Sequence, residues 1–226
     1  MNITTAGLTR AAAAAAVLSG AIFIAVQIKH PPMAAASAET MQWVVRSCAK
    51  AVMAALAVAG ITGMYLRQHR RTGLLGLAGY LVFAAGYLAM FSVEVIAAAV
   101  LPSLTGTEPG YVNDVLVSAA GGAPAGDIGG MQTVLSLSGF GYIAGGLLFG
   151  IALFRARVLA RWAAALLALG TVATAALAVL PEAFNRPLAV PVGVALIGLG
   201  VSLWRNHRES SAETVRTGPA RVHAVR

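Results

Sequence analysis

Three charged side chains lie within stretches of sequence that are otherwise apolar, and these are the residues best suited to chemistry. Arg46 and Lys50 are four residues apart, so a helix would place both on one face. Glu94 lies in a later apolar stretch of its own. A charge is costly inside a membrane, and such residues by default mark a binding site, an ion path or a buried pair.

The position of each charge along its apolar stretch predicts that all three lie at one depth. Lys50 lies about 8 residues, or ~12 Å of helix, after the start of its stretch near Gln42. Glu94 lies about as far before Pro102, where the later stretch ends. Two adjacent antiparallel helices would therefore bring Glu94 level with Lys50 and Arg46, and we expect an ion pair there.

Three interpretations of these charges remain open. An ion pair could simply tie two helices together, with the Arg46 side chain reaching towards the membrane interface. The charges could instead line a pocket open to the outside, whose surplus positive charge receives a carboxylate, a phosphate or a lipid head group. Glu94 could also exchange protons during transport. Arg186, on a connection predicted to lie on the same side, is a further candidate for the ligand site.

The sequence predicts no catalytic residue, no metal site and no cofactor. No apolar stretch contains a histidine in its interior, and His30 with Met33 would make only a two-ligand copper site. Ser136 and Ser138 have no base at a matching depth, so nucleophilic catalysis lacks its parts. The single cysteine, Cys48, is predicted to be a small buried apolar residue. Whether the protein is an enzyme stays open.

Six apolar stretches must position these residues. Each is long enough for a helix that crosses a membrane, which needs ~20 residues. The composition agrees, since 58% of residues are hydrophobic and only 11% are charged. We therefore predict an all-α bundle of six transmembrane helices as one domain, residues 1–204, followed by a basic, disordered cytoplasmic tail, residues 205–226. The predicted spans lie near 8–28, 43–66, 73–101, 131–154, 158–180 and 187–204.

The signs of the charges in the connections predict an orientation. One set of connections and ends is basic: Arg10, Arg67, Arg70, Arg71, Arg155, Arg157, Arg161, Arg205, Arg208, Arg216, Arg221 and Arg226. The other set carries Glu39, Glu108, Asp114, Asp127 and Glu182. Basic loops stay in the cytoplasm, so both termini should be inside and the connection 102–130 outside. The net charge of +8 then reflects orientation and attraction to anionic lipid, and no nucleic-acid partner is predicted.

An alternative treats the N-terminus as a cleaved signal peptide. Arg10, the apolar run after it and the small residues Ala36, Ser37 and Ala38 loosely fit that pattern. The apolar run is longer than usual, however, and Lys29 to Pro32 separate it from the candidate cleavage site. Removal of residues 1–38 would leave five spans with the same orientation.

Glycines in the fourth predicted span point to close helix packing. Gly141 with Gly145, and Gly146 with Gly150, are both spaced one turn apart. Small residues at this spacing let helix backbones approach in lipid, either in a homo-oligomer or within one bundle, and both remain open. Between the glycines and prolines of the external connection, residues 111–120 are expected to form a short helix on the membrane surface.

Several short motifs occur along the chain: His30-Pro31, Glu94, Leu101-Pro102, Gly145 to Gly150, Arg155 to Trp162, and Pro191-Val192-Gly193. In this combination the chain resembles the small six-span integral membrane proteins of actinobacteria. The excess of arginine over lysine, 14 to 2, is typical of a GC-rich genome. The resemblance implies the topology and a bacterial plasma membrane, and it implies no activity.

Together these observations predict a multi-pass membrane protein with one of two roles. The first is binding or transport of a small anionic ligand or lipid head group at the charged outer pocket. The alternative is a structural or accessory subunit of a membrane complex with no ligand of its own. Its expected partners are membrane lipids, with a possible second copy of the chain through the glycine-rich span.

Overall fold

The computed structural model describes residues 4–178 and 187–216, and within them all regular secondary structure is helical. Side chains are described as far as residue 176 and again from 187 to 206. The helices are α1 (Thr5–Ala25), α2 (Ala35–Ala38), α3 (Met41–Ala99), α4 (Leu101–Leu104), α5 (Pro109–Ala119), α6 (Gly130–Ala156), α7 (Arg161–Ala173) and α8 (Val190–Arg216). Short 3-10 turns, Thr174–Ala178 and Pro187–Ala189, follow α7 and precede α8.

Among the described residues, four helices are long and apolar enough to cross a membrane. They are α1, α3, α6 and the segment Pro187–Asn206, which includes most of α8, and their mean hydropathy lies between 1.8 and 2.0. The apolar helix α7 is shorter. These four helices indicate a membrane protein, as the composition predicts.

Helix α3 is a hairpin rather than one straight rod. Its 59 residues would extend about 88 Å if straight, nearly three times the ~30 Å hydrocarbon core. The backbone leaves helical geometry at Gln68 and at Gly73, where φ is +58° and glycine is favoured. Two arms result, residues 41–67 (the first arm) and 74–99 (the second arm), and they match the predicted stretches 43–66 and 73–101.

The two arms run antiparallel and contact each other from end to end. At the open end, the indole N–H of Trp43 donates a hydrogen bond to the Ala97 carbonyl at 2.9 Å. Near the break, the rings of Tyr65 and Tyr80 stack with centroids 4.8 Å apart. Any group on the first arm therefore has a defined neighbour on the second arm.

The remaining long helices pack around this hairpin. Helix α6 contacts α3 most extensively, α1 packs between α3 and α8, and α7 joins α6 to α8. Large buried side chains fill the centre, among them Met53, Phe83, Tyr87, Phe149 and Leu199. The core is thus built where several predicted spans meet.

The glycines of α6 are used for packing within the chain. A Cβ atom on Gly141 would collide with Gly86 of the second arm, and one on Gly145 would collide with the Phe83 backbone. On another side of α6, Gly146 and Gly150 approach α7 equally closely. Of the two interpretations of this spacing, these contacts favour packing inside one bundle. Contact between copies of the chain remains a prediction.

The connection predicted to lie outside is a folded layer. Val112, Val115 and Leu116 of α5 are buried in a second cluster with Trp43 and Leu101. The two carboxylate oxygens of Asp114 accept hydrogen bonds from the backbone N–H groups of Ala125 and Gly126, both at 2.9 Å. The predicted short helix is present, and its apolar face covers the open end of the α3 hairpin.

The structure differs from the sequence prediction at the C-terminus as well. A disordered tail was expected from residue 205, whereas α8 continues to Arg216. No glycine or proline occurs between 205 and 216, so nothing there breaks the helix, and Gly218-Pro219 is a pair that commonly follows a helix end. Residues 217–226 of the predicted tail lie outside the described part of the chain.

Candidate functional site

The ion pair expected from the matching depths of Lys50 and Glu94 is present between the two arms of α3. The Lys50 ammonium nitrogen lies 3.4 Å from the Glu94 carboxylate oxygen Oε1. Both side chains are largely shielded, with exposed fractions of 16% for Lys50 and 13% for Glu94. The antiparallel register of the hairpin creates this pair, because it sets residue 50 opposite residue 94.

A third polar residue completes the environment of the carboxylate. The Ser47 side chain, one turn before Lys50 on the first arm, lies beside the Glu94 carboxylate. Ser47 is buried, with 2% of its surface exposed. This serine was not among the predicted site residues, although its spacing of three residues from Lys50 places it on the same helix face.

Arg46 forms its hydrogen bond with the end of α1. Its guanidinium nitrogen Nη1 donates to the carbonyl oxygen of Val26 at 2.8 Å. Val26 is the C-terminal cap of α1, where carbonyl groups lack partners within the helix and a positive charge is favoured. The sequence predicted that Glu94 would lie level with Lys50 and Arg46. Of these two cations Lys50 forms the ion pair, and Arg46 joins the first arm of α3 to α1.

One atom of Arg46 stays unsatisfied in the described structure. The Nε atom is buried and has no hydrogen-bond partner among the described residues. Buried polar groups are nearly always hydrogen-bonded, so an exception of this kind calls for an explanation. An acceptor oxygen from a bound molecule would satisfy it.

Of two further predicted positions, Arg186 is not described and Cys48 differs from the prediction. Arg186 lies outside the described residues, so its proposed share in the ligand site stays a prediction. Cys48 is exposed, contrary to the prediction that it is buried. The buried face of the first arm passes through Ser47 and Ala51, which turns residue 48 and Val52 outward.

Two tyrosines in the core form a polar feature that the sequence analysis did not single out. Tyr87 of the second arm and Tyr142 of α6 are 0% and 6% exposed, and their rings meet edge to face at 5.8 Å. Neither hydroxyl has a hydrogen-bond partner among the described residues. Tyr87 lies two turns before Glu94 on the same helix face. A tyrosine in the middle of an apolar stretch was the available signal.

Comparison with known proteins gives no relative from which an activity could be transferred. No family model, no curated protein and no solved structure matches the chain. Within the described residues, no three His, Cys, Asp or Glu side chains are grouped as metal ligands would be. The inference of function therefore rests on the geometry of the charged residues.

Proposed function

We propose that this protein is a six-span membrane protein of a bacterial plasma membrane with both termini in the cytoplasm, and that it acts as a structural or accessory subunit. Its membrane-embedded charges join helices to one another. The observation that carries this proposal is the Lys50–Glu94 contact of 3.4 Å between the two arms of α3. In this role the charges are retained for the shape of the bundle.

The lengths of the helices support six spans. Each arm of α3 has about 26 residues, or ~39 Å of helix, which is enough for a hydrocarbon core of ~30 Å. Helix α7 and the 3-10 turn after it together extend about 30 Å. With α1, α6 and α8 these segments account for six crossings of the bilayer.

The charge distribution on the hairpin supports the orientation. Arg67, Arg70 and Arg71 lie at its closed end, beside the break at Gly73. Acidic Glu108 and Asp114 lie in the layer over its open end. Arginine-rich connections remain cytoplasmic, so the open end with Lys50 and Glu94 would belong to the outer half of the membrane.

The partners of the charges favour the structural role over a ligand pocket. Lys50 is paired with Glu94, and Arg46 is bonded to the end of α1. The surplus positive charge that would receive an anion is therefore largely engaged in contacts between helices. Breaking such a buried pair is costly, whereas its presence adds little net stability over apolar side chains of similar shape.

A second candidate role rests on one specific observation. The buried, unpartnered Nε of Arg46 would be satisfied by an oxygen of a small anionic ligand or a lipid head group. In this role Arg46 would bind the anion while the Lys50–Glu94 pair kept its present contact. Transport of such a ligand is the extension of this second role.

A double-mutant cycle on the ion pair distinguishes the two roles. The variants are Glu94→Gln, Lys50→Met and the pair, with the free energy of unfolding measured in detergent. Under the structural role each single change should destabilise by about 3–5 kcal/mol, because the remaining charge is buried alone, and the double variant should recover most of the loss. Glu108→Gln, which removes an exposed carboxylate from the same end, serves as the control and should change little.

The opposite pattern would contradict the structural role. If both single variants unfold at the wild-type midpoint or above it, the charges are not needed for folding. The second role would then gain support, and binding of anionic ligands should be sought at Arg46.

A further inference from the structure

A groove on the outside of the bundle, between α7 and α8, has the shape and polarity of a site for an amphiphile. It has a volume of about 580 Å³, within the ~300–1,000 Å³ usual for small-molecule sites. It is open along one side, so a molecule could enter it from the surrounding membrane. Its lining residues are Ala160, Trp162, Val194, Ile197, Gly198, Val201, Ser202, Arg205 and Asn206.

The polarity of the groove changes along α8. Val194, Gly198, Val201 and Arg205 are three or four residues apart and so share one helix face. The apolar part comes first, and Arg205 ends the row about 16 Å beyond Val194. Half of a ~30 Å hydrocarbon core is about the same depth. An acyl chain of one leaflet would therefore fit along the row with its head group at Arg205.

Packing across the groove keeps it narrow and apolar. The ring of Trp162 lies so close to Gly198 that a Cβ atom there would collide with it. Trp162 itself is 58% exposed, so one side of its ring remains available to a neighbour. Tryptophan is enriched where the hydrocarbon core meets the head groups, which fits its place near the polar end of the groove.

The polar end of the groove is strongly basic. Arg155, Arg157 and Arg161 are exposed around the connection between α6 and α7, and Arg205 is exposed on α8. Two hydrogen bonds hold this connection against α8, from Asn206 to the Val158 carbonyl at 2.6 Å and from the Ala160 N–H to Ser202 at 2.9 Å. The sequence 155–178 contains no acidic residue, and on α8 the acidic residue nearest in sequence is Glu209, four residues after Arg205.

We propose that this groove is a binding site for one anionic phospholipid, whose phosphate lies at Arg205 and whose acyl chain lies along Val194 to Val201. The positive charge of Arg205 favours an anionic head group, and the apolar row accepts the acyl chain. A second copy of the protein would bring two sets of arginines together, which disfavours it as the occupant. The inference rests on the proposed membrane location and goes beyond the proposed structural role.

The test is to count retained lipids on the full-length protein by native mass spectrometry. The detergent-solubilised protein is titrated with phosphatidylglycerol or with phosphatidylcholine of the same chain length. One arginine at the head group should favour the anionic lipid about fivefold, equivalent to ~1 kcal/mol. Arg205→Gln should lower this preference, and Val201→Trp, which fills the apolar row, should reduce retention of both lipids.

Arg70→Gln is the matched control, because it removes one exposed arginine far along the chain from the groove. The proposal is overturned if the two lipids bind equally, if Arg205→Gln and Arg70→Gln lower binding alike, or if the spectrum shows a dimer that Val201→Trp abolishes. Alkaline carbonate extraction of the same membranes tests the proposed location separately. A protein that resists extraction but shows no lipid preference contradicts this inference alone.

Discussion

At the scale of single residues, a prediction follows from the buried hydroxyl groups of Tyr87 and Tyr142. Each is buried without a partner among the described residues, and leaving such a group unsatisfied costs ~1–3 kcal/mol. Tyr142→Phe keeps the ring in place and removes that cost, so we expect stability to rise by about 1 kcal/mol in thermal unfolding. Tyr80→Phe is the control, because the Tyr80 hydroxyl lies 3.1 Å from Thr62 Oγ1 and its removal should destabilise. Equal losses in the two variants would mean that the Tyr142 hydroxyl binds something.

The charged residues show which side-chain contacts could be predicted from sequence alone. The Lys50–Glu94 pair could be predicted, because depth along two adjacent helices needs only residue counts. The partner of Arg46 could not, since it requires knowing that α1 ends beside the first arm of α3. The exposure of Cys48 likewise depends on which face of the helix its neighbours cover.

At the scale of an element, the glycines of α6 lead to a prediction about stability. Gly145→Ala places a methyl group against the Phe83 backbone, and overpacking of this kind costs ~1–3 kcal/mol. Gly139 lies on the same helix with nothing within 4 Å of a Cβ atom, so Gly139→Ala should be neutral or slightly stabilising. Unfolding of the two variants in detergent measures the difference. If Gly145→Ala instead leaves stability unchanged and alters the oligomer size on gel filtration, this glycine serves contact between copies.

The elements themselves were largely predictable, and their arrangement was not. Apolar length located α1, both arms of α3 and α6, because a helix in lipid must satisfy its own backbone. The layer formed by α2, α4 and α5 was not foreseen as a cap over Trp43, since it depends on contacts between distant parts of the chain. Composition likewise could not show that α8 runs past residue 204.

At the scale of the whole molecule, the parts of the bundle have separate tasks. Glycine contacts join α6 to its neighbours, and polar contacts fasten the open end of the hairpin to α1. The arginine-rich connections lie towards the opposite end, where the α7–α8 groove carries its basic residues. In the proposed topology, each of these tasks depends on α3 crossing the membrane twice.

The most direct test of that dependence is labelling of single cysteines with a maleimide that cannot cross membranes. In a Cys48→Ala background, cysteines replace Met41 and Gly106 near the open end of the hairpin and His69 at its closed end, all of them exposed. In intact spheroplasts we expect Met41→Cys and Gly106→Cys to react, and His69→Cys to react only after permeabilisation. Labelling of Met41→Cys and Gly106→Cys on opposite sides, or of His69→Cys in intact spheroplasts, would contradict the account.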